Sequence, residues 1–369
     1  MDDHLNIYNT YIAKESLQSV KNVLDSTFIS EGKLVKEFER QLSEYLTINN
    51  PVALNSGTTA LHLALDLAGI KEGDEVILPA QTFVATGLVI LQQKAKPVFA
   101  DINYEDGNIS IESIKKKITA KTKAIMCVHW GGYPCDMDEI QALALEHNLV
   151  VIEDAAHALG ATYKNKVIGS ISDYTCFSFQ AIKHITTGDG GAISVKNGDK
   201  YTEALTKRWF GINRDTSFPT DLGERSYNIE TLGYKYHLND YAAALGLANL
   251  IGFKERLADR KKIVEIYNHE LKSISGIHLF NHNNDRESAN WLYGFHVQNR
   301  LDFIKKLKSK NIAASVIHQR IDRNSVFGGI NGELTNQEEF DKTQIHIPIH
   351  DAIRPEDALR ITEVIKSGW

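Results

Sequence analysis

The strongest constraint on the fold is the regular alternation of short apolar runs with helical patterns between about Leu54 and Val195. Six runs have the length and composition of buried strands: EVILPA, KPVFADI, KAIMCVH, LVVIEDAA, YTCFSF and GAISV. Amphipathic stretches such as TTALHLALDLAGI and MDEIQALALEHN lie between several of them. Strands that alternate with helices predict a mostly parallel sheet covered by helices, and such sheets bind ligands beyond the carboxyl ends of their strands.

The length of 369 residues is sufficient for two domains. After Leu238, the sequence NDYAAALGLANLIGFKERLADRKKIVEIYNHEL predicts a long helix, or two helices with a bend at Gly252. We interpret this segment as the bridge into a smaller C-terminal domain, with strands at WLYGFHV and IAASVIH and helices at LDFIKKLKSKN and PEDALRITEVIKSG. The predicted domains are residues 1–250, which include the N-terminal segment, and residues 251–369.

Composition narrows the classes of function. The net charge of -6 is mild and no block of like charge occurs, so we expect no nucleic-acid partner. No apolar stretch approaches the ~18 residues that span a bilayer, and the N-terminus lacks the pattern of a secretory signal. The three cysteines form no CxxC pair and fit a reducing compartment. We therefore expect a cytoplasmic protein without membrane contact, and the sequence predicts no metal site.

The segment LNSGTTALHLAL, residues 54–65, is the first candidate binding element. Ser56-Gly57-Thr58-Thr59 lies between a short apolar run and a helical pattern. Free backbone amides at such a helix N-terminus suit a phosphate. An ordinary helix cap has the same residues and remains an alternative.

The segment VVIEDAAHALGA places Asp154 at the carboxyl end of an apolar strand and His157 three residues later. A carboxylate there is costly to bury unless it faces a cation, and a protonated pyridine ring of pyridoxal phosphate would supply one. A strand-end carboxylate that caps a loop, beside a hydrogen-bonded core histidine, is the alternative.

The segment CFSFQAIKHITTGDGGAISV contains Lys183 between two predicted strands. Lysine is rarely buried, and desolvation would lower its pKa and leave the amine nucleophilic, as Schiff-base chemistry requires. A solvated surface lysine is the alternative. A parallel sheet would gather Lys183, Asp154 and the segment around Gly57 at one edge.

With these motifs the chain resembles the sugar aminotransferase family named for DegT, DnrJ, EryC and StrS, within the fold type I enzymes of pyridoxal 5'-phosphate (PLP). The similarity runs from DSTFISEGKLVKEFERQL through NSGTTALHLAL, LPAQTFVAT, IEDAAHALGA and SFQAIKHITTGDGG to IHIPIH. The resemblance implies an α/β fold, with a large, mostly parallel sheet flanked by helices and a smaller α+β C-terminal domain. It also implies PLP as cofactor, pyridoxamine phosphate as intermediate, and a homodimer with active sites at the interface.

The resemblance also assigns roles to individual residues. Lys183 matches the Schiff-base lysine, Asp154 the partner of the pyridine nitrogen, and His157 a position near the phenolic oxygen of the ring. Phe83 matches the aromatic residue that stacks on the cofactor, a contact that contributes about 1 kcal/mol beyond burial. The residues that match the phosphate contacts are Gly57, Thr58 and Ser178.

Several positions depart from the family pattern. GYKYH replaces the more common GYNYR, which places Lys235 where an asparagine of the family reaches across the dimer to the phosphate. VHWGG replaces VHLYG and introduces Trp130, and His184 replaces an asparagine. SVIHQRIDRNSVF, with His318 and Arg320, replaces a histidine-tyrosine pattern where the family binds its substrate. Trp130, His184, His318 and Arg320 are therefore the predicted substrate-binding residues, although a solvated basic loop would also explain the arginine.

The predicted activity is transfer of an amino group from glutamate to a nucleotide-linked keto-deoxysugar, for cell-surface polysaccharide or related amino-sugar biosynthesis. A branch of the family carries histidine in place of the lysine and dehydrates keto-sugars, so the neighbouring His184 leaves that alternative open. Amination of a cyclitol ketone is a second alternative. A PLP-binding regulator without turnover is a third.

Overall fold

The computed structural model describes residues 4–214 and 216–369, and its largest element is a seven-stranded sheet. Its strands, in chain order, are β1 (Pro51–Leu54), β2 (Glu75–Pro79), β3 (Lys96–Ala100), β4 (Thr122–Val128), β5 (Val150–Asp154), β6 (Tyr174–Ser178) and β7 (Gly191–Val195). The order across the sheet is β1-β7-β6-β5-β4-β2-β3. Pairing is parallel from β6 to β3, and β7 runs antiparallel to both β1 and β6. The six predicted strands are confirmed.

Helices cover the sheet and build most of the remaining structure. In the described residues they are α1 (Ser16–Ser26), α2 (Lys33–Glu44), α3 (Gly57–Leu67), α4 (Val84–Gln92), α5 (Ile111–Lys117), α6 (Met137–His147), α7 (Gly198–Lys207), α8 (Asp240–Leu250), α9 (Phe253–Leu271), α10 (Arg300–Lys308), α11 (Thr335–Thr343) and α12 (Pro355–Lys366). Short 3₁₀ turns are Trp130–Gly132, Ile321–Arg323 and Ser325–Phe327. Within residues 4–214 and 216–369, no helix is both long enough and apolar enough to cross a bilayer.

Both faces of the sheet are buried, because successive side chains of a strand point to opposite sides. On one face, Ile77 and Ile125 pack with apolar residues of α2, α5, α6 and α8. On the other face, Val76 and Met126 pack with α3, α4 and α7. Helices on both faces leave the edge at the strand ends free for a ligand.

The C-terminal part of the chain has a separate core. Strands β8 (Ile277–Leu279), β9 (Tyr293–Val297) and β10 (Gln344–Ile347) form an antiparallel sheet in the order β8-β9-β10. It packs with α9, α10 and α12. Two-residue strands form small separate pairings: Arg286–Glu287 with Thr162–Tyr163, Thr162–Tyr163 with Lys166–Val167, and Phe218–Pro219 with Arg225–Ser226.

The bend predicted at Gly252 is confirmed, since this residue has φ +67° between α8 and α9. Helix α8 packs against α1 and α2, whereas α9 packs against α12. This difference supports a domain boundary after residue 250, which remains our proposal. Leu5 crosses the proposed boundary, because its N–H donates to the Asn311 carbonyl at 2.8 Å and its carbonyl accepts from the Ala313 N–H at 2.8 Å.

The prediction of a strand at IAASVIH is wrong. Residues 312–318 make isolated bridges only, from Ile312 to Leu5 and from Ser315 to His346. Ser315 and His346 exchange both backbone hydrogen bonds, at 3.1 and 3.0 Å. The chain then leaves the edge of the small sheet and brings His318 to the cavity described below, so the pairing does not continue.

Candidate active site

A cavity of about 300 Å³ lies at the carboxyl ends of β1, β5 and β6. Its size is at the lower end of the range for small-molecule pockets. The predicted site residues that line it are Gly57, Thr58, Phe83, Asp154, His157, Ser178, Lys183 and His318. Sheet topology thus brings together side chains that are far apart in the sequence.

The N-terminus of α3 forms one wall of the cavity. Ser56 caps this 11-residue helix by accepting a hydrogen bond at Oγ from the Thr59 N–H at 3.1 Å. A Cβ atom at position 57 would lie only 2.9 Å from the Cβ of Ser178, and one at Gly191 would lie 2.4 Å from the Ser56 backbone. Glycine at both positions therefore permits the close approach of these segments. The first amides of the helix have no helical acceptor and can bind an anion.

Asp154 ends β5 and is buried at the floor of the cavity. Its Oδ2 accepts a hydrogen bond from Thr86 Oγ1 at 2.7 Å, and its Oδ1 accepts one from the Ala156 N–H at 3.1 Å. Burial raises the pKa of Asp154 above its ordinary value, although these hydrogen bonds and the charge of Lys183 act in the opposite direction. A cation placed beside this carboxylate would offset the cost of its burial.

Lys183 lies in the connection between β6 and β7. The base of this loop is closed by hydrogen bonds from the Phe179 N–H to the Gly190 carbonyl at 2.8 Å and from the Thr187 N–H to the Phe179 carbonyl at 3.0 Å. Burial lowers the pKa of Lys183 to about 7, although the charge of Asp154 raises it. A large fraction of the amine is therefore neutral near pH 7, which is the form that attacks a carbonyl.

His157 and Trp291 stack face to face beside Lys183, with ring centroids 3.8 Å apart and an interplanar angle of 14°. Burial lowers the pKa of His157 well below its ordinary value, and the charge of Lys183 lowers it further. Its Nδ1 is buried and has no hydrogen-bond partner in the described part of the chain. A neutral imidazole with an unsatisfied nitrogen suits a polar ligand group in the cavity.

Phe83 and His318 lie at the mouth of the cavity. Phe83 is 54% exposed, and its ring centroid lies 5.4 Å from that of His318. Burial lowers the pKa of His318 to about 4, and the charge of Lys183 also lowers it. Trp130 is buried behind them and meets His318 edge-on at 5.8 Å, but it does not line the cavity.

Three other predicted residues are not brought to the cavity. The His184 ring is buried against Ala289, with Nε2 2.7 Å from its carbonyl oxygen. Arg320 forms a buried bidentate pair with Asp322, at 2.7 and 2.6 Å, which favours a structural role over ligand binding. Lys235 is exposed, away from this cavity.

Sequence reasoning missed several side chains that line this cavity, among them Thr86 and Trp291. Thr86 lies three residues after Phe83 at the start of α4, so helical spacing places it near Phe83. Trp291 follows a polar loop and carries no local signal, yet it is only 2% exposed. Its contacts with the site depend on packing between distant parts of the chain.

The side chains present fit PLP. The amides at Gly57 and Thr58 with the Ser178 hydroxyl would hold its phosphate, Asp154 would face its ring nitrogen, and Lys183 would bind its aldehyde carbon. The unsatisfied Nδ1 of His157 would meet a polar atom of the ring. The sheet topology and these residues define the class as a fold type I PLP enzyme.

The comparisons with known proteins agree with this class. The model of the DegT/DnrJ/EryC1/StrS aminotransferase family matches residues 10–366. GDP-perosamine synthase of Escherichia coli O157:H7 is 37% identical over 74% of this chain and 73% of its own. The crystal structure of sugar aminotransferase CalS13 from Micromonospora echinospora has a TM-score of 0.94 and 30% identity, covering 99% of this chain and 100% of that chain. The PLP form of the putative sugar aminotransferase Spr1654 from Streptococcus pneumoniae has a TM-score of 0.90 and 30% identity, covering 99% and 98%.

The chain belongs to the DegT/DnrJ/EryC1/StrS aminotransferase family. It is a PLP-dependent aminotransferase, as the sequence predicts, and the predicted cofactor and fold type I architecture are confirmed.

Proposed function

We propose that this protein transfers an amino group from glutamate to the keto carbon of a nucleotide-linked deoxysugar, and so supplies amino sugars for cell-surface polysaccharides. The observation that carries the proposal is the cavity in which the amine of Lys183 and the carboxylate of Asp154 face the N-terminus of α3. The relationship to GDP-perosamine synthase supports a nucleotide-linked substrate.

Lys183 has the central role in the proposed reaction. When bound, PLP supplies an electron sink for the electrons released at the substrate carbon. Lys183 Nζ, with its pKa near 7, accepts the proton from the donor carbon and later returns a proton to the sugar carbon. Asp154 would stay negative beside the ring nitrogen of the bound cofactor, Phe83 would pack against the ring, and His157 would offer its Nδ1, which has no partner among the described residues.

Transamination is better supported than dehydration. The alternative that the sequence leaves open requires a histidine in the role of the reactive lysine. Lys183 lines the cavity, whereas the ring of His184 bonds to the Ala289 carbonyl on the other side of the loop. This arrangement supports the lysine amine, and not the ring of His184, as the reacting group.

A second copy of the chain completes the proposed site. Lys183 is the only lysine or arginine among the described residues that line the cavity, so cations for a glutamate carboxylate and a sugar diphosphate must come from elsewhere. Exposed apolar residues lie in the segment before Lys235, with Leu222 90% and Leu232 78% exposed. Exposed apolar side chains that lie together in one patch mark a surface that another chain covers. We therefore propose a homodimer in which the segment around Lys235 reaches the partner's cavity.

The test measures 2-oxoglutarate release from glutamate in the presence of PLP and a panel of keto-deoxysugar nucleotides. Wild-type protein should release more than one equivalent of 2-oxoglutarate per site only when a nucleotide-linked keto-sugar is present, and mass spectrometry should find the amino sugar. Lys183→Ala should reduce turnover by about 10³-fold or more, because it removes both the nucleophile and the acid–base group.

Lys164→Ala is the matched control, since that lysine pairs with Asp138 at the exposed surface. Equal activity of Lys183→Ala and wild type would refute the role of Lys183. Equal use of the free keto-sugar or of a cyclitol ketone would refute the nucleotide requirement. A sugar product that has lost water and carries no new nitrogen would refute transamination and support dehydration.

A further inference from the structure

The ring of Trp291 contacts the reactive amine. The Nζ atom of Lys183 lies 3.7 Å from the centroid of the Trp291 ring. No carboxylate within residues 4–214 and 216–369 forms an ion pair with this amine. The indole is therefore the group against which the tip of Lys183 packs. An ammonium over an aromatic face is attracted by the ring quadrupole, more strongly when it is desolvated.

The indole is tied to the backbone beside Lys183. Its Nε1–H donates to the carbonyl of Ile182, the preceding residue, at 3.0 Å. The indole thus contacts both the peptide group that precedes Lys183 and the tip of the Lys183 side chain.

Other rings hold the indole in place. His157 stacks on Trp291 at 3.8 Å, and the Tyr8 ring packs at 5.4 Å with an interplanar angle of 28°. His157 is neutral because burial and the charge of Lys183 lower its pKa, so it adds no positive charge to the stack. Since the indole is 2% exposed, its orientation cannot change without repacking these neighbours.

We infer that Trp291 is a positioning residue that holds the amine of Lys183 whenever this amine is not bonded to the cofactor. This inference rests on the proposed function, in which Lys183 is released and must return at each half of the reaction. The ring keeps the amine inside the cavity and favours its ammonium form. Loss of the ring should lower the pKa of Lys183, because burial already favours the neutral amine.

The experiment measures how fast the apo-enzyme captures PLP as a function of pH. In this step the neutral nitrogen of Lys183 adds to the aldehyde carbon, and the aldehyde oxygen leaves as water, so the midpoint of the rate profile reports the pKa of the amine. Mono-, di- and trifluorotryptophan placed at position 291 keep the shape of the ring and its Nε1–H but weaken the quadrupole. The midpoint should fall stepwise, by about one pH unit in total.

Trp291→Leu should lower the midpoint similarly and also reduce the plateau rate, because the amine is no longer held. In Trp291→Phe the midpoint of the rate profile should stay close to that of the wild type. The plateau rate should fall, because phenylalanine cannot donate the hydrogen bond to Ile182. Trp369, whose Nε1 donates to the Gln298 carbonyl, offers the control for fluorination.

An unchanged midpoint across the fluorinated series would overturn the inference. If Trp291→Leu does not fold, the fluorinated series still decides. Absence of PLP capture by the wild-type apo-enzyme would instead overturn the proposed function, so the two failures are distinguishable.

Discussion

Two neighbouring carboxylates on β5, Glu153 and Asp154, have opposite environments. Glu153 faces the core on one side of the sheet and accepts three hydrogen bonds, from His129 Nε2 at 2.7 Å, Thr175 Oγ1 at 3.0 Å and the Ser172 N–H at 3.2 Å. Asp154 faces the cavity and accepts two, from Thr86 and the Ala156 N–H.

The pKa values of the two groups move in opposite directions. Burial alone would raise the pKa of Glu153, but its hydrogen bonds from His129, Ser172 and Thr175 bring it below the ordinary value. Burial prevails at Asp154, whose pKa is raised. A buried carboxylate that its own chain satisfies stabilises the fold, whereas one that remains undersatisfied is prepared for a ligand.

Asp154→Asn tests the functional side of this comparison and should have the larger effect on turnover of the two carboxylate variants. The amide keeps the size of the side chain but cannot hold a cationic ring nitrogen, so turnover should fall by about 10²-fold or more. Steady-state release of 2-oxoglutarate measures the loss, and thermal unfolding shows whether the fold is retained. Near-wild-type turnover would show that the charge of Asp154 is not needed.

Glu153→Gln tests the structural side. Nδ1 of His129 accepts the Cys135 N–H at 3.1 Å, so its Nε2 carries a proton and donates to Glu153. Glutamine at position 153 replaces one acceptor oxygen by an amide nitrogen, which only donates, so at least one buried donor loses its acceptor. We expect a loss of about 2 kcal/mol in the free energy of unfolding, measured with denaturant.

The activity of folded Glu153→Gln should stay within a few-fold of wild type, because the side chain does not line the cavity. A loss of turnover as large as that in Asp154→Asn, without a loss of stability, would reverse the distinction between the two carboxylates.

The smallest expected effect is a pH dependence of stability in the apo-protein. Because the pKa of Asp154 is raised above 3.8 on folding, its ionisation destabilises the fold as pH increases from 3.8 through the raised value. Asp154→Asn does not ionise, so its unfolding free energy relative to wild type should rise over this window and then level off. This increase in the unfolding free energy of Asp154→Asn relative to wild type should be smaller than the decrease expected for Glu153→Gln. Denaturant unfolding at a series of pH values measures it, and a difference that does not change with pH would contradict the raised pKa.

The local sequence pattern was sufficient to predict most strands of the large sheet and the edge at which the site lies. Apolar runs of strand length predicted β2 to β7, because a strand buried on both faces is apolar throughout. The order of the motifs around Gly57, Asp154 and Lys183 predicted that they meet, since parallel strands end at the same edge. The error at residues 312–318 arose because an apolar run predicts burial but not whether a neighbouring strand offers a free edge.

Packing between distant segments determined the rest. Trp291 donates a hydrogen bond to Ile182, which is 109 residues away in the sequence. The residue pattern of neither segment predicts this contact. Arg320 is not available to bind a ligand, because its guanidinium pairs with Asp322. Asp322 is only two residues away in the sequence, but the sequence did not predict this pair because it depends on how the loop folds. The residue type determines which chemistry a side chain can perform. Its partners depend on the tertiary structure, because the fold has to satisfy many contacts at the same time.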